Sequence, residues 1–224
     1  MDLDRLVFTF FNVEVAERYW RQVADGAIVT IELGISIVVA GLISGFFLAY
    51  IRSFQNSALR IFIISFVNVF RSLPPLVLII LFYYAFPFLG ISFSAFTATW
   101  LSLTLVLAVY SEEVFWAGME SQPKGVVEAA RSTGLNHSQT MLFVVMPQAT
   151  RLMVAPLTNR VIAITKGTAY GSVAALNEIL NEATSATSFA GNPTPLMLGA
   201  IGYILIFLPI VIFGRWVEFK YGVN

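Results

Sequence analysis

Five long apolar stretches dominate the chain, near residues 23 to 51, 60 to 87, 95 to 119, 139 to 167 and 196 to 217. A helix crosses a bilayer with about 20 largely apolar residues, and each stretch reaches that length. Little of the 224-residue chain is left for a soluble domain. Hydrophobic residues make up 58% of the sequence and charged ones 12%, which sets it apart from an ordinary soluble domain. The expectation is an all-α membrane protein with about five transmembrane helices. Thirteen basic and thirteen acidic residues cancel, so charge gives no reason to invoke nucleic acid or an acidic partner. Cysteine is absent, which excludes disulfides and thiolate metal sites without identifying a compartment.

The first 25 residues carry Asp2, Asp4, Arg5, Glu14, Glu17, Arg18, Arg21 and Asp25, unlike the basic start and apolar middle of a signal peptide. They are expected to stay in the mature chain. Val13, Ala16, Trp20 and Val23 recur at helical spacing, and Tyr19 and Trp20 suit the headgroup boundary. Residues 1–22 therefore read as an outside interfacial segment, 23–217 as the transmembrane domain and 218–224 as a cytoplasmic tail. Basic residues set the orientation. With five spans, Arg52, Arg60, Lys124, Arg131, Arg215 and Lys220 fall on one side, and the opposite loops, about 88 to 95 and 168 to 195, hold no Lys or Arg. Positive charge favours the cytoplasm, so the N-terminus is expected outside and the C-terminus inside, although Arg5, Arg18 and Arg21 oppose the bias.

Between the third and fourth spans, residues 121–149 read SQPKGVVEAARSTGLNHSQTMLFVVMPQA. Pro123 can open a helix, Val126, Val127 and Ala130 give it an apolar side, and Gly134 can close it in the left-handed conformation. Asn136 and Gln139 then form a capping-box pair for a second helix. On the residues alone, an interfacial hairpin that returns the chain to the membrane fits as well.

The order Glu128-Ala129-Ala130, Gly134 and Met146-Pro147, falling between two spans, resembles the EAA loop of ATP-binding-cassette importer permeases. Phe70-Arg71-Ser72-Leu73-Pro74, followed by the LVLIILFYY run at Leu76 to Tyr84, is similar to the FRG/S-x-P segment of the polar amino-acid (histidine, glutamine, glutamate and arginine type) permeases. Tyr110 to Met119 resembles their AYxAEIFRGGI stretch, with Glu113 on the family glutamate, and Pro123-Lys124-Gly125, Glu128-Ala129-Ala130-Arg131 and Pro147-Gln148-Ala149 match PKG, EAAR and LPQA. Together these cover roughly residues 26 to 217. The resemblance implies a type I importer permease fold in the bacterial inner membrane, with a cytoplasmic EAA coupling loop. It implies three partners: an ATPase dimer, a second permease subunit (identical or not) and an extracytoplasmic solute-binding protein. Glu128, Ala129, Ala130 and Gly134 inherit the ATPase-coupling role by motif position. No GxxxxGK(S/T) loop is present, so ATP hydrolysis falls to a separate subunit and the chain itself is expected not to be an enzyme.

Charges within spans are costly and usually face protein or a watery path. In the fourth span Arg151, Thr158 and Thr165 form one stripe, with Asn159 and Lys166 on the adjacent one, and Pro147 and Pro156 each remove a backbone donor. This polar side fits either a solute path or packing against a partner subunit. Arg71, about 11 residues into its apolar stretch, is a second candidate. The substrate-pathway residues are thus Arg71, Asn159, Lys166, Gly167 and Thr168. Where the family often reads GNQFxxLLKDTSL, Asn159, Lys166 and Thr168 remain, Gly167 replaces the aspartate, Ala169 the serine and Tyr170 the leucine. Trp116 stands where a third-span arginine is common. The implied solute is a polar amino acid, with an opine or compatible solute as the alternative. Adjacent Glu112 and Glu113 point to different faces and suit structural pairing better than acid–base chemistry. Lone His137 makes no metal site, and no cofactor fingerprint is present.

Residues 172 to 188 place Val173, Leu176, Leu180 and Ala183 on one side of a short amphipathic helix, with Glu178 and Glu182 opposite. In the resembling family this region adjoins the outer gate; a plain surface helix fits equally. Two rival classes remain. A secondary transporter suits broken, charged helices, but five spans without an internal repeat count against it. A membrane enzyme lacks any visible nucleophile and base pair.

Overall fold

The computed structural model describes residues 3–54 and 56–221, and all regular elements among them are helical. Helix α1 (Leu3–Phe10) precedes α2 (Val13–Arg52), whose first turn is capped by Asn12, its side chain accepting from the Val15 N–H at 3.2 Å. The Asn12 N–H in turn donates to Thr194 Oγ1 at 3.0 Å. At 1.5 Å per residue α2 is about 60 Å long, roughly twice the hydrocarbon thickness. Residues 13–22, set apart in the sequence as an interfacial piece, are the first turns of this same rod. Gly26 lies within it, where the absent side chain admits a neighbouring backbone: a Cβ there would lie 3.0 Å from the backbone of Glu178 and Ile179.

Asn56 opens α3 (Ser57–Ser72), accepting from the N–H groups of Ala58 and Leu59. The helix stops at Leu73, which is extended as a residue before proline must be. The chain restarts as α4 (Pro75–Ile80), continues as a π turn (Leu81–Ala85) and a 3-10 turn (Phe86–Leu89), and ends at left-handed Gly90. The expected second span is therefore a broken pair. Next come α5 (Ala95–Glu120), α6 (Lys124–Ser132), α7 (His137–Gln139), a π turn (Thr140–Val145) and α8 (Met146–Lys166). A 3-10 segment (Gly167–Ala174), α9 (Ile179–Ala190) and α10 (Thr194–Tyr221) complete the order. Among the described residues four helical runs are long and apolar enough to span a bilayer, five with the broken pair counted as one. Helix α10 passes through the start of the expected tail as far as Tyr221, and residues 222–224 lie outside the described residues.

The chain divides into two compact units. The first gathers residues up to Ile37 with Pro75–Leu103 and Thr165–Val211; the second comprises Val38–Pro74, Thr104–Ile164 and the residues from Ile212 on. The first has a core of Val23, Ile179 and Ala183, flanked by Leu196, Tyr203 and Ile206. In the second, Ala49, Met119, Val145, Ala149 and Met153 pack together, and Ile63, Val67 and Val109 form another cluster. Gly41 and Gly45 bring α2 against Leu107, Ala108 and Ser111 of α5, the small-residue approach of membrane helices. On α10, Leu205, Phe213 and Phe219 are exposed, as a lipid-facing helix allows.

The segment before α9 departs from the expected amphipathic helix. Ala175 takes a left-handed conformation, helix resumes only at Ile179, and Glu178 becomes its N-cap. Glu178 is fully buried instead of facing solvent. Its carboxylate answers the free N–H groups of the helix start, a demand that apolar spacing does not register.

Candidate functional site

In the second unit Pro123 opens α6, and α6 buries one side only. Val127 packs on the Met153 cluster and Ala130 is buried, while Glu128 and Ala129 are exposed. Gly134 follows with φ of 91° and nothing within 4 Å of where a Cβ would stand. Its requirement is conformational, since side chains disfavour this region. The capping box forms: Asn136 accepts from the Gln139 N–H at 2.9 Å and Gln139 accepts from the Asn136 N–H at 3.0 Å.

The loop is tied to the end of α2. Tyr50 donates to Ser138 Oγ at 2.6 Å, Ser53 Oγ and His137 Nε2 lie 2.9 Å apart, and the Phe54 ring packs on His137. Between Tyr50 and Ser53, Arg52 pairs with fully buried Glu112 at 2.9 Å and lies over the Trp116 ring at 4.4 Å. Arg60 approaches the same ring at 5.5 Å. Neighbouring Glu113 pairs with Arg71 of α3. Adjacent carboxylates on α5 thus hold two different helices, which is the structural pairing their opposite facing suggested. An exposed face of small residues plus one carboxylate, braced from behind, suits docking onto another protein. It offers no reacting pair.

In the first unit Lys166 and Ala169 line a cavity of about 490 Å³ with Tyr203, Ile204, Phe207, Leu208 and Val211 of α10. Lys166 is the charged member of this lining. Gly167 is buried, and a Cβ on it would lie 3.3 Å from Leu103. Thr168 is buried too, its hydroxyl donating to the Thr165 carbonyl at 2.8 Å. Lys166, Gly167 and Thr168 therefore fall together, with Lys166 at the cavity. Asn159 and Arg71 belong to the second unit, where Asn159 is exposed and donates to the Ala155 carbonyl at 3.1 Å. Seven-residue spacing put Asn159 and Lys166 on one stripe, but a stripe runs through both units. Sequence reasoning missed Tyr203; a hydroxyl in the apolar run of α10 was the available signal. It also missed Trp116 as a platform for two guanidinium groups, which a lone aromatic beside a span end does not announce. Among the described residues, no cluster of three or more His, Cys, Asp or Glu side chains could hold a metal.

The family model described as binding-protein-dependent transport system inner membrane component matches residues 37–223. The chain is 33% identical over 159 residues to the probable glutamine ABC transporter permease protein GlnP of Bacillus subtilis, covering 71% of this chain and 73% of that protein. It is 29% identical over 169 residues to the L-cystine transport system permease protein TcyB of the same organism, covering 75% of this chain and 72% of that one. A solved amino acid ABC transporter with histidines superposes with a TM-score of 0.81 at 27% identity, over 91% of this chain and 95% of the other. The inward-facing MetNI methionine ABC transporter has the same fold, with a TM-score of 0.66 at 24% identity over 89% and 94% of the two chains.

Proposed function

We propose, because the chain belongs to the family of binding-protein-dependent transport system inner membrane components, that it forms one half of an amino-acid import pathway. The family makes it a multi-pass permease subunit of an ATP-binding-cassette importer, a transport component and not an enzyme. It works with an ATPase and a solute-binding protein. A family match over residues 37–223, spanning both units, carries this reading. The finer assignments are ours. A second permease subunit completes the pathway, the N-terminus is outside and the C-terminus cytoplasmic, and α6 docks on the ATPase through exposed Glu128 and Ala129, while Ala130, expected beside them, is buried and packs α6 from behind, with Gly134 ending the helix. Similarity to glutamine and cystine permeases supports a polar amino acid as the solute.

The path is assigned to Lys166 and the cavity beside it, with Gly167 and Thr168 shaping the backbone there and Arg71 and Asn159 serving in the second unit. Lys166 is exposed beside this apolar lining, and its ammonium can pair with a solute carboxylate through charge-assisted hydrogen bonds. Lys166→Met should leave assembly and basal ATP hydrolysis normal but raise the KM for transport about tenfold, equivalent to roughly 1.4 kcal/mol. Uptake titrations in proteoliposomes check this. An unchanged KM means that the ammonium merely reaches water, and lost assembly means structural pairing; either removes the assignment.

A further inference from the structure

Glu178 is buried at the start of α9 and meets no cation; the two ion pairs among the described residues are Arg52 with Glu112 and Arg71 with Glu113. Its partners are hydrogen-bond donors. Its carboxylate accepts from the Leu180 N–H at 3.0 Å, the Asn181 N–H at 2.9 Å and the Tyr203 hydroxyl at 2.6 Å. The positive end of the twelve-residue α9 adds to this stabilisation. Burial pushes the carboxyl above the usual carboxylate range, while the three donors act in the opposite direction. On its other side the same turn is wedged against α2. Gly26 leaves no room for a Cβ beside the Glu178 backbone, and the Ile179 N–H donates to Thr30 Oγ1 at 3.3 Å. Further along, Gln22 donates to Glu182 at 2.7 Å.

Tyr203 therefore has two places at once. It lines the cavity beside Lys166, and its hydroxyl holds the carboxylate that starts α9. We propose that Tyr203 is a positioning residue for transport, a latch that links the contents of the Lys166 cavity to the placement of α9; this rests on reading the cavity as the solute path. A solute pressing on the ring turns the side chain, and a hydrogen bond is lost within a small change of distance or angle. Glu178 is then left buried with its two backbone donors, a state that favours movement of the α9 cap toward water. Linkage makes the effect reciprocal: whatever displaces α9 frees Tyr203 and changes solute affinity by the same factor.

Hydrogen exchange of the α9 amides tests this in the full transporter in nanodiscs, with the binding protein present throughout and an equimolar mixture of the common L-amino acids and L-cystine as probe. In wild type the mixture should raise α9 exchange about tenfold. Tyr203→Phe keeps the ring and removes the hydroxyl. Its α9 exchange should be high without the mixture and should not respond to it. Glu178→Ala, which removes the acceptor that Tyr203 holds, should behave likewise and provides the comparison if Tyr203→Phe fails to assemble. A wild-type α9 that ignores the mixture overturns the latch, as does a full response surviving in the variants. Lys166→Met separates the two readings. A raised KM of uptake with a latch failure removes only the latch, whereas an unchanged KM of uptake removes the cavity reading and the latch together.

Discussion

Gly45→Ile will leave almost no folded protein in the membrane. A Cβ at Gly45 would stand 2.6 Å from Ser111 Cβ, 2.7 Å from the Ala108 carbonyl oxygen and 3.1 Å from the Glu112 nitrogen. Two of these atoms are helix backbone and cannot swing aside. One turn earlier, Gly41 faces Leu107, where a Cβ would approach three side-chain atoms to 2.8 Å. A β-branched residue forces α2 and α5 apart, at about 1–3 kcal/mol for ordinary overpacking. Separation also strains the pair between Arg52 and buried Glu112, and breaking such a pair costs about 3–5 kcal/mol more. That total rivals the entire stability of many domains. Gly34→Ile on the same helix, where nothing lies within 4 Å of the position, is the control. Size-exclusion profiles of detergent-extracted protein should show Gly34→Ile near the wild-type yield and Gly45→Ile at background. Equal yields would mean that α2 and α5 do not pack as described.

Gly134→Val will abolish stimulation of the ATPase by loaded binding protein while leaving the permease assembled. The position sits at φ of 91° in open space, so the substitution meets no neighbour and acts through the backbone. A β-branched side chain in that region costs about 1–2 kcal/mol, which the chain can relieve by unwinding the end of α6 or redirecting its exit. Either response moves Glu128 and Ala129 out of the proposed docking surface, while the anchors at Tyr50 and Ser53 hold α7 in place. Gly90→Val imposes comparable strain in a different loop, where φ is 79°. Stimulated hydrolysis should fall to the basal rate in Gly134→Val and persist in Gly90→Val. Full stimulation in Gly134→Val would show that α6 does not carry the signal.

The elements that the sequence disclosed are those set by local chemistry. Apolar length marked the spans, Leu73-Pro74-Pro75 stood at the point where the second one breaks, and Pro123, Gly134 and the Asn136–Gln139 pair mark the turns that flank α6 and α7. The family was readable because its motifs lie in order along the chain, and the match over residues 37–223 agrees with it. Tertiary facts were less accessible. Nothing local distinguishes a separate interfacial helix at residues 13–22 from the start of a 40-residue rod, because no proline interrupts Val13–Arg52. Glu178 read as a solvent-facing charge, yet it is buried, since a helix start and a tyrosine hydroxyl 25 residues away in sequence supply its donors. Gly41 and Gly45 show the four-residue spacing of close helix contacts, but the sequence does not say which helix they meet. At the candidate path, spacing along α8 ordered Asn159 and Lys166 on one stripe without revealing that they belong to different units.

The most direct measurement is uptake into proteoliposomes containing this chain, the proposed second permease subunit where it is not a copy of this chain, and the ATPase, with the binding protein outside and ATP enclosed. Labelled polar L-amino acids should accumulate only when ATP, the binding protein and this chain are all present, and dissipating ion gradients should not diminish the rate. Accumulation without ATP, driven by an imposed sodium or proton gradient, would contradict the assignment and identify a secondary transporter instead.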